Sequence, residues 1–307
     1  MRPKTAGPGQ TLLWRLEVFG FDLVSALIRL LPVETASSLG AAIFRTLGPL
    51  IPLNRLVEHN IRLAFPDMDP AERKRLARES WDHLGRMAAE FTMLDRLTPA
   101  SGRIEVVGGD RLRHLAEHNI PAVLISGHFS NFEIMAAVIV ASGLRCQITY
   151  RAANNPYFNE RIVRARRSYG VELFSPKGVD GSRELLQAMN RGESVAFLND
   201  QKFGGGIAAP FFGHIAHTAA GPTRMALRGD GRLVPMSVQR TKGARFRVVI
   251  HEPIVLERTG DREADLAAGV AQVNAFVEAR VRERPQEWWW VHKRWPNESY
   301  AALKASA

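Results

Sequence analysis

Residues 121–133 read PAVLISGHFSNFE, and the fold turns on them. Pro121–Ser126 is an apolar run short enough to be a buried strand. Asn131–Ala141 then carries a helical pattern, so a strand is expected to become a helix around Gly127 and His128. The same alternation continues outward. Strands are expected at Arg103–Val107, Gln147–Tyr150, Ser194–Leu198, Leu233–Val238 and Phe246–Ile250. Helices are expected at Asp110–His118, Pro156–Tyr169, Ser182–Asn190 and Arg262–Arg282, and within 66–97, where Asp69 is the candidate N-cap. Strands separated by helices predict an α/β fold with a mixed, mostly parallel sheet flanked by helices. Ligands in such sheets sit beyond the carboxyl ends of the strands, which points to residues 126–133, 150–155 and 199–206.

Composition narrows the class. The chain has 307 residues, 46% of them apolar and 23% charged, which is globular and excludes disorder or low complexity. Lys and Arg number 41 against 31 Asp and Glu, and the net charge of +10 suggests an anionic partner: phosphate, acidic protein or anionic membrane. No nucleic-acid motif accompanies that charge, so nucleic acid is not expected. The single Cys146 excludes an intrachain disulfide and a Cys-based zinc site.

The opening MRPKTAGPGQ lacks the apolar core and cleavage site of a signal peptide. Leu12, Leu16, Phe19, Leu23, Leu27 and Leu30 recur at three and four, with Arg15, Asp22 and Arg29 on the other side. Leu39, Ile43, Leu47 and Leu50 form a second stripe, closed by Pro49 and Pro52. Two amphipathic helices of this kind either pack on the domain or lie in a membrane surface. Asp22 and Arg29 oppose a span, since a mid-bilayer charge costs about 2.5–3.5 kcal/mol. The expected division is a helical membrane-associating segment over 1–54 and an α/β domain over 55–307.

His128 and Glu133 are five apart. With nine histidines and 31 acids in 307 residues, about one such pair arises by chance, so placement carries the information. On one helix the two side chains would diverge by about 140°. They meet only if His128 precedes the helix and Glu133 lies in its first turn, with Ser130 or Asn131 as N-cap and Gly127 supplying an unusual backbone angle. A carboxylate on one imidazole nitrogen fixes the tautomer and leaves the other to take a proton from a hydroxyl. The competing reading is a structural histidine bonded near a helix start.

GHFSNFE resembles the H-x₄-D/E motif of the lysophospholipid acyltransferase superfamily. The chain is more closely similar to the lipid A biosynthesis lauroyl/myristoyl acyltransferase family, which also includes mannoside acyltransferases of mycobacterial type. The likeness runs from about residue 12 to 297. It includes NIRLAFPDMDPAERKRLARESWDHLGR, Tyr150-Arg151 with Asn155, Asn199-Asp200-Gln201, Pro210-Phe211-Phe212-Gly213 with Thr218, and Trp290-Val291-His292-Lys293-Arg294. The resemblance implies transfer of a fatty acyl chain onto a hydroxyl of an anionic glycolipid, a lipid A precursor, at the cytoplasmic face of the cell inner membrane. It implies no metal and no cofactor beyond an acyl thioester co-substrate, on acyl carrier protein or coenzyme A. His128 would be the general base and Glu133 its orienter. The alternative acceptor is another membrane lipid: a glycosylated phosphoinositide, an ornithine lipid or a lysophospholipid.

Further residues take expected roles from this frame. Substrate binding is expected at Arg151, Asn131, Asp200, Gln201, Lys202 and Arg294. Arg151 either grips a phosphate or sugar carboxylate or pairs with Asp200. Backbone amides of Gly127–Asn131, with Arg151, are candidate oxyanion donors. Arg161, Arg164, Arg166 and Arg167 form a basic run that is either a solvated helix face or a dock for acidic carrier protein or headgroups. Lys202 precedes Gly204-Gly205-Gly206, which is not a P-loop. His214 and His217 have metal-like spacing without an evident third ligand. Trp288, Trp289 and Trp290 either anchor at a lipid interface or pack in the core.

Overall fold

The computed structural model describes residues 7–176 and 179–305; the first six residues of the opening stretch lie outside them. The chain forms α1 (Pro8–Arg29), α2 (Val33–Leu47), α3 (Asn54–Ala64), α4 (Pro70–Phe91), β1 (Ile104–Val107), α5 (Gly109–Glu117), β2 (Val123–Ser126), α6 (Glu133–Ala141), β3 (Cys146–Tyr150), α7 (Pro156–Arg167) and β4 (Phe174–Pro176). It continues through α8 (Val179–Asn190), β5 (Ser194–Leu198), β6 (Ile207–Phe211), β7 (His214–Thr218), α9 (Gly221–Arg228), β8 (Arg232–Lys242), β9 (Arg245–Ile250), β10 (Ile254–Val255), α10 (Arg262–Glu283) and α11 (Asn297–Ala305).

The main sheet has the order β1-β9-β8-β2-β5-β3-β4, with β10 added antiparallel to β8. All its other pairs are parallel except β8 with β9. The expected α/β class with a mostly parallel, mixed sheet is therefore what the chain adopts. PAVLIS supplies the central β2, whose four residues are all buried. A strand covered on both faces has no use for polar alternation, which is why that run reads as continuously apolar. Asp69 does cap α4, accepting from the amides of Ala71 and Glu72, with Pro70 opening the helix.

Helices α3, α9 and α11, the β6–β7 hairpin and the short strands β4 and β10 come in addition to the expected elements. So does the crossing of α2 on α4. There Gly40 and Gly85 face each other so closely that a Cβ on either would lie 2.2–2.3 Å from the other's carbonyl oxygen. Val33, Ala36 and Ala41 of α2 are buried on that side.

Helix α1 is turned inside out. Its polar side chains face the protein: Arg161 of α7 holds Asp22 at 2.6 Å, Asp95 takes Arg29 at 2.8 Å, and Asn155 donates to Glu17 at 2.9 Å. Its apolar stripe of Leu12, Leu16, Phe19, Leu23, Leu27 and Leu30 is 53–81% exposed. Leu39, Ile43 and Leu47 of α2 are exposed as well. The stripes are thus not packed on the domain. No single helix among the described residues is long and apolar enough to cross a membrane; α2 with its following turn passes only together with α3, across a bend of 89°.

Candidate active site

Strands β2 and β5 are parallel neighbours with Ser126 opposite Leu198, so their chains leave the sheet side by side. His128 and Asp200 both lie two residues past those strand ends. The imidazole Nδ1 donates to Asp200 Oδ1 at 2.6 Å. Asp200 Oδ2 accepts the His128 backbone N–H and the Trp288 indole N–H, both at 2.7 Å. Both residues are buried. Burial alone would raise the Asp200 pKa, but the imidazole's charge and these hydrogen bonds outweigh it and hold the carboxyl well below the usual range. Asp200 is therefore an anion, and it fixes Nδ1 as the protonated nitrogen. The Gln201 side-chain amide donates to Nε2 at 3.2 Å, which marks the other nitrogen as the one with the free lone pair.

Gly127 serves this contact through space rather than backbone angle. A Cβ there would lie 2.7 Å from the Phe129 ring and 3.1 Å from Asp200 Oδ2. The left-handed φ of the turn falls instead on Ser130, at +46°. Such strain persists where neighbours over-determine it. Here Ser130 N–H donates to the Glu287 carbonyl at 2.7 Å, and Trp289 N–H to the His128 carbonyl at 3.2 Å. The amides of His128, Phe129 and Ser130 thus all have acceptors in the protein, which removes them from the candidate oxyanion donors. Neither Ser130 nor Asn131 caps the helix: α6 starts without a side-chain cap.

The partner of the imidazole is therefore Asp200 and not Glu133. Glu133 accepts two bonds from Arg166, 2.9 Å from Nε and 2.6 Å from Nη2, and one from the Tyr169 hydroxyl at 3.3 Å. A guanidinium offers a carboxylate two parallel donors, which an imidazole cannot. Burial would lower the Arg166 pKa, yet the charge and hydrogen bonds of Glu133 raise it. Arg166 accordingly leaves the basic run, and so does Arg161, committed to Asp22. Arg164 pairs with Glu160 on the exposed face.

The expected substrate-binding residues separate. Gln201 stands against Nε2, while Lys202 is exposed in the following loop. Arg151 is exposed one residue past β3 and does not take Asp200, whose oxygens serve His128 and Trp288. Asn131 is fully buried and donates to Glu90, which also binds Arg240 and Ser37. Arg294 is 1% exposed and donates to the His217 carbonyl, Thr218 and Asn274. Burial pushes its pKa down to about 10. Asn131 and Arg294 tie elements together, since their bonded donors go to protein acceptors. His214 and His217 are each bonded to a backbone carbonyl, of Leu63 and Gly206. Trp288 and Trp290 are buried, and Trp289 lies with its ring 5.5 Å from the imidazole.

A mainly apolar cavity of about 60 Å³ lies between α6 and the sheet, lined by Leu124, Met135, Ala136, Ile139, Ile148 and Met236 and, at its polar part, by Ser126, Thr149 and the Glu133–Arg166 pair. Phe132 forms part of its wall and also meets the His128 ring edge-on at 4.8 Å. One aromatic ring thus stands between the imidazole and the cavity.

Residues 15–297 match the family described as bacterial lipid A biosynthesis acyltransferase. The chain belongs to that family. It is 25% identical over 297 residues to the lipid A biosynthesis palmitoleoyltransferase of Escherichia coli (strain K12), covering 94% of this chain and 92% of the relative. A lipid A biosynthesis acyltransferase of Shigella flexneri matches to the same extent. The lipid A biosynthesis lauroyltransferase of Escherichia coli (strain K12) is 23% identical over 248 residues, covering 78% of each chain. This member is an O-acyltransferase, and an imidazole–carboxylate pair of this geometry, past the carboxyl ends of β2 and β5, is chemically able to take a proton from a hydroxyl.

Proposed function

We propose that this acyltransferase moves a fatty acyl chain from a thioester on acyl carrier protein to a hydroxyl of a lipid A precursor, at the cytoplasmic face of the inner membrane. The observation that carries the chemistry is the 2.6 Å bond from His128 Nδ1 to an ionised Asp200. It leaves Nε2 as the base. An acceptor hydroxyl replacing the Gln201 amide at Nε2 gives up its proton there as its oxygen attacks the thioester carbonyl. The tetrahedral intermediate collapses, the C–S bond breaks, and the proton on Nε2 passes to the leaving thiolate. Asp200 stabilises the imidazolium in between without taking the proton. No acyl-enzyme forms.

The apolar cavity behind Phe132 is the natural seat for the acyl chain. Its volume, about 60 Å³, is far less than a long acyl chain occupies. A long chain must therefore displace Phe132 and the flexible Met135 and Met236, side chains that repack readily. Membrane attachment is supported by α1, whose polar face is bonded to the protein and whose apolar face is left outside.

The test is transfer of labelled acyl chain from acyl carrier protein to a lipid A precursor by the purified protein. Lipid profiling of a deletion strain checks the acceptor: loss of one chain from lipid A supports the reading. Loss from another lipid class overturns the acceptor while leaving the chemistry.

A further inference from the structure

We propose that Trp288 is a positioning residue for the catalytic pair, its indole N–H locking the Asp200 carboxylate in the rotation that presents Oδ1 to His128. The inference rests on His128 being the base. Oδ2 is occupied twice, by the His128 backbone N–H and by Trp288 Nε1, each at 2.7 Å. That leaves Oδ1 to the imidazole. Without the indole donor only the two bonds from His128 would hold the carboxylate, and the bond to Nδ1 would lose part of its fixed direction. The indole itself cannot swing away. Trp288 is 3% exposed, with Trp290 edge-on at 4.6 Å and Phe211 at 5.7 Å.

The segment that carries Trp288 is fastened to the same turn on both sides. Phe129 and Trp288 form a backbone bridge, Ser130 N–H donates to Glu287, and Trp289 N–H donates to His128. A strap from near the C-terminus therefore sets both the main chain of the base and the carboxylate behind it. Two parallel strand ends bring His128 and Asp200 close; the strap fixes their orientation.

The indole N–H also shares the charge of Asp200. Its removal concentrates that charge on the imidazole and favours imidazolium, so the acid limb of the rate profile moves to higher pH. The other ionisable groups around the pair are His292, with its ring 6.0 Å from His128, buried Arg294 from the same C-terminal segment, and Glu133 of α6, neutralised by Arg166 of α7.

Trp288→Phe keeps the ring and deletes the donor. Trp290→Phe deletes a similar indole donor, bonded to the Pro285 carbonyl, outside the pair. Acyl transfer is measured across pH with both substrates varied, alongside thermal melting. In Trp288→Phe, kcat is expected to fall roughly tenfold, as for loss of one bond to a charged group, with KM for both substrates little changed. The acid limb should rise by about half a pH unit. Trp290→Phe should leave the limb in place, whatever it does to melting. A Trp288→Phe enzyme with unmoved limb and wild-type kcat overturns the inference, and so does one that only melts earlier, provided His128→Ala is inactive. An active His128→Ala overturns the base assignment and this inference with it.

Discussion

Glu133→Gln separates the two roles a carboxylate can play in this site. The substitution keeps shape and removes charge, and the structure says where the loss is felt. Arg166 has a side chain only 12% exposed, and both its bonds to Glu133 are at or below 2.9 Å. Leaving such a cation without its anion costs about 3–5 kcal/mol. At about 2–4 °C per kcal/mol for a chain of this order, melting should drop by about 10 °C. The bond from Nδ1 to Asp200 survives, so below the melting transition kcat should stay within about tenfold of wild type, with an unmoved acid limb. Asp200→Asn is the opposite case. An amide at that position can donate to Nδ1 and impose the wrong tautomer, and a loss of about 10³–10⁴-fold in kcat is expected. Replacing both ends of the ion pair, Glu133→Gln with Arg166→Met, should recover much of the melting temperature, since no stranded charge remains. The assays are thermal unfolding and acyl transfer from a labelled thioester across pH. A Glu133→Gln enzyme that melts like wild type yet loses as much turnover as Asp200→Asn would refute the assignment and return Glu133 to the proton-transfer machinery.

Three other outcomes follow. Leu16→Glu with Phe19→Glu, on the exposed side of α1, should leave melting unchanged but cut co-sedimentation with anionic vesicles by more than tenfold, since each apolar side chain contributes about 1 kcal/mol on burial; unchanged sedimentation would rule that face out as the attachment surface. Burial, with Arg240, Arg86 and Arg284 nearby, pushes the His83 pKa down to about 3. The unfolded chain then gains the proton first, so stability falls as pH drops below about 6.5, by about 2 kcal/mol at pH 5; denaturant midpoints at pH 7 and 5 check this, and His83→Gln should flatten the dependence. Ala136→Phe fills the apolar cavity and should lower kcat/KM for long-chain thioesters more than for short ones, a ratio that would stay constant if the chain bound elsewhere.

Much of this is legible in the sequence, and the remainder is not, for identifiable physical reasons. PAVLIS announced β2 because a strand buried on both faces has no polar alternation. The strand-end loops announced the site because parallel strands align their carboxyl ends. That β5 lies beside β2 is a matter of strand order, which local pattern does not encode; Asp200 therefore looked like a substrate ligand and Glu133, nearer in sequence, like the orienter. Arg166 looked solvated because its three neighbouring arginines share its composition, while only its place on α7 turns it toward Glu133. Asn131 and Arg294 carry polar groups typical of a binding site, and only the fold reveals that they are buried and donate to Glu90 and to the His217 carbonyl, Thr218 and Asn274. The exposed stripe of α1 could be read from spacing, but its direction could not. It took the ion pairs of Asp22 and Arg29 to show that the polar face is the inner one.

The central claim is that an imidazole held by Asp200 strips the proton from the acceptor hydroxyl. Its most direct test is acyl transfer from acyl carrier protein to a lipid A precursor by His128→Ala, with folding verified by melting. The account predicts a folded protein that has lost at least 10²–10⁴-fold in kcat. A folded His128→Ala enzyme that turns over at the wild-type rate would contradict it.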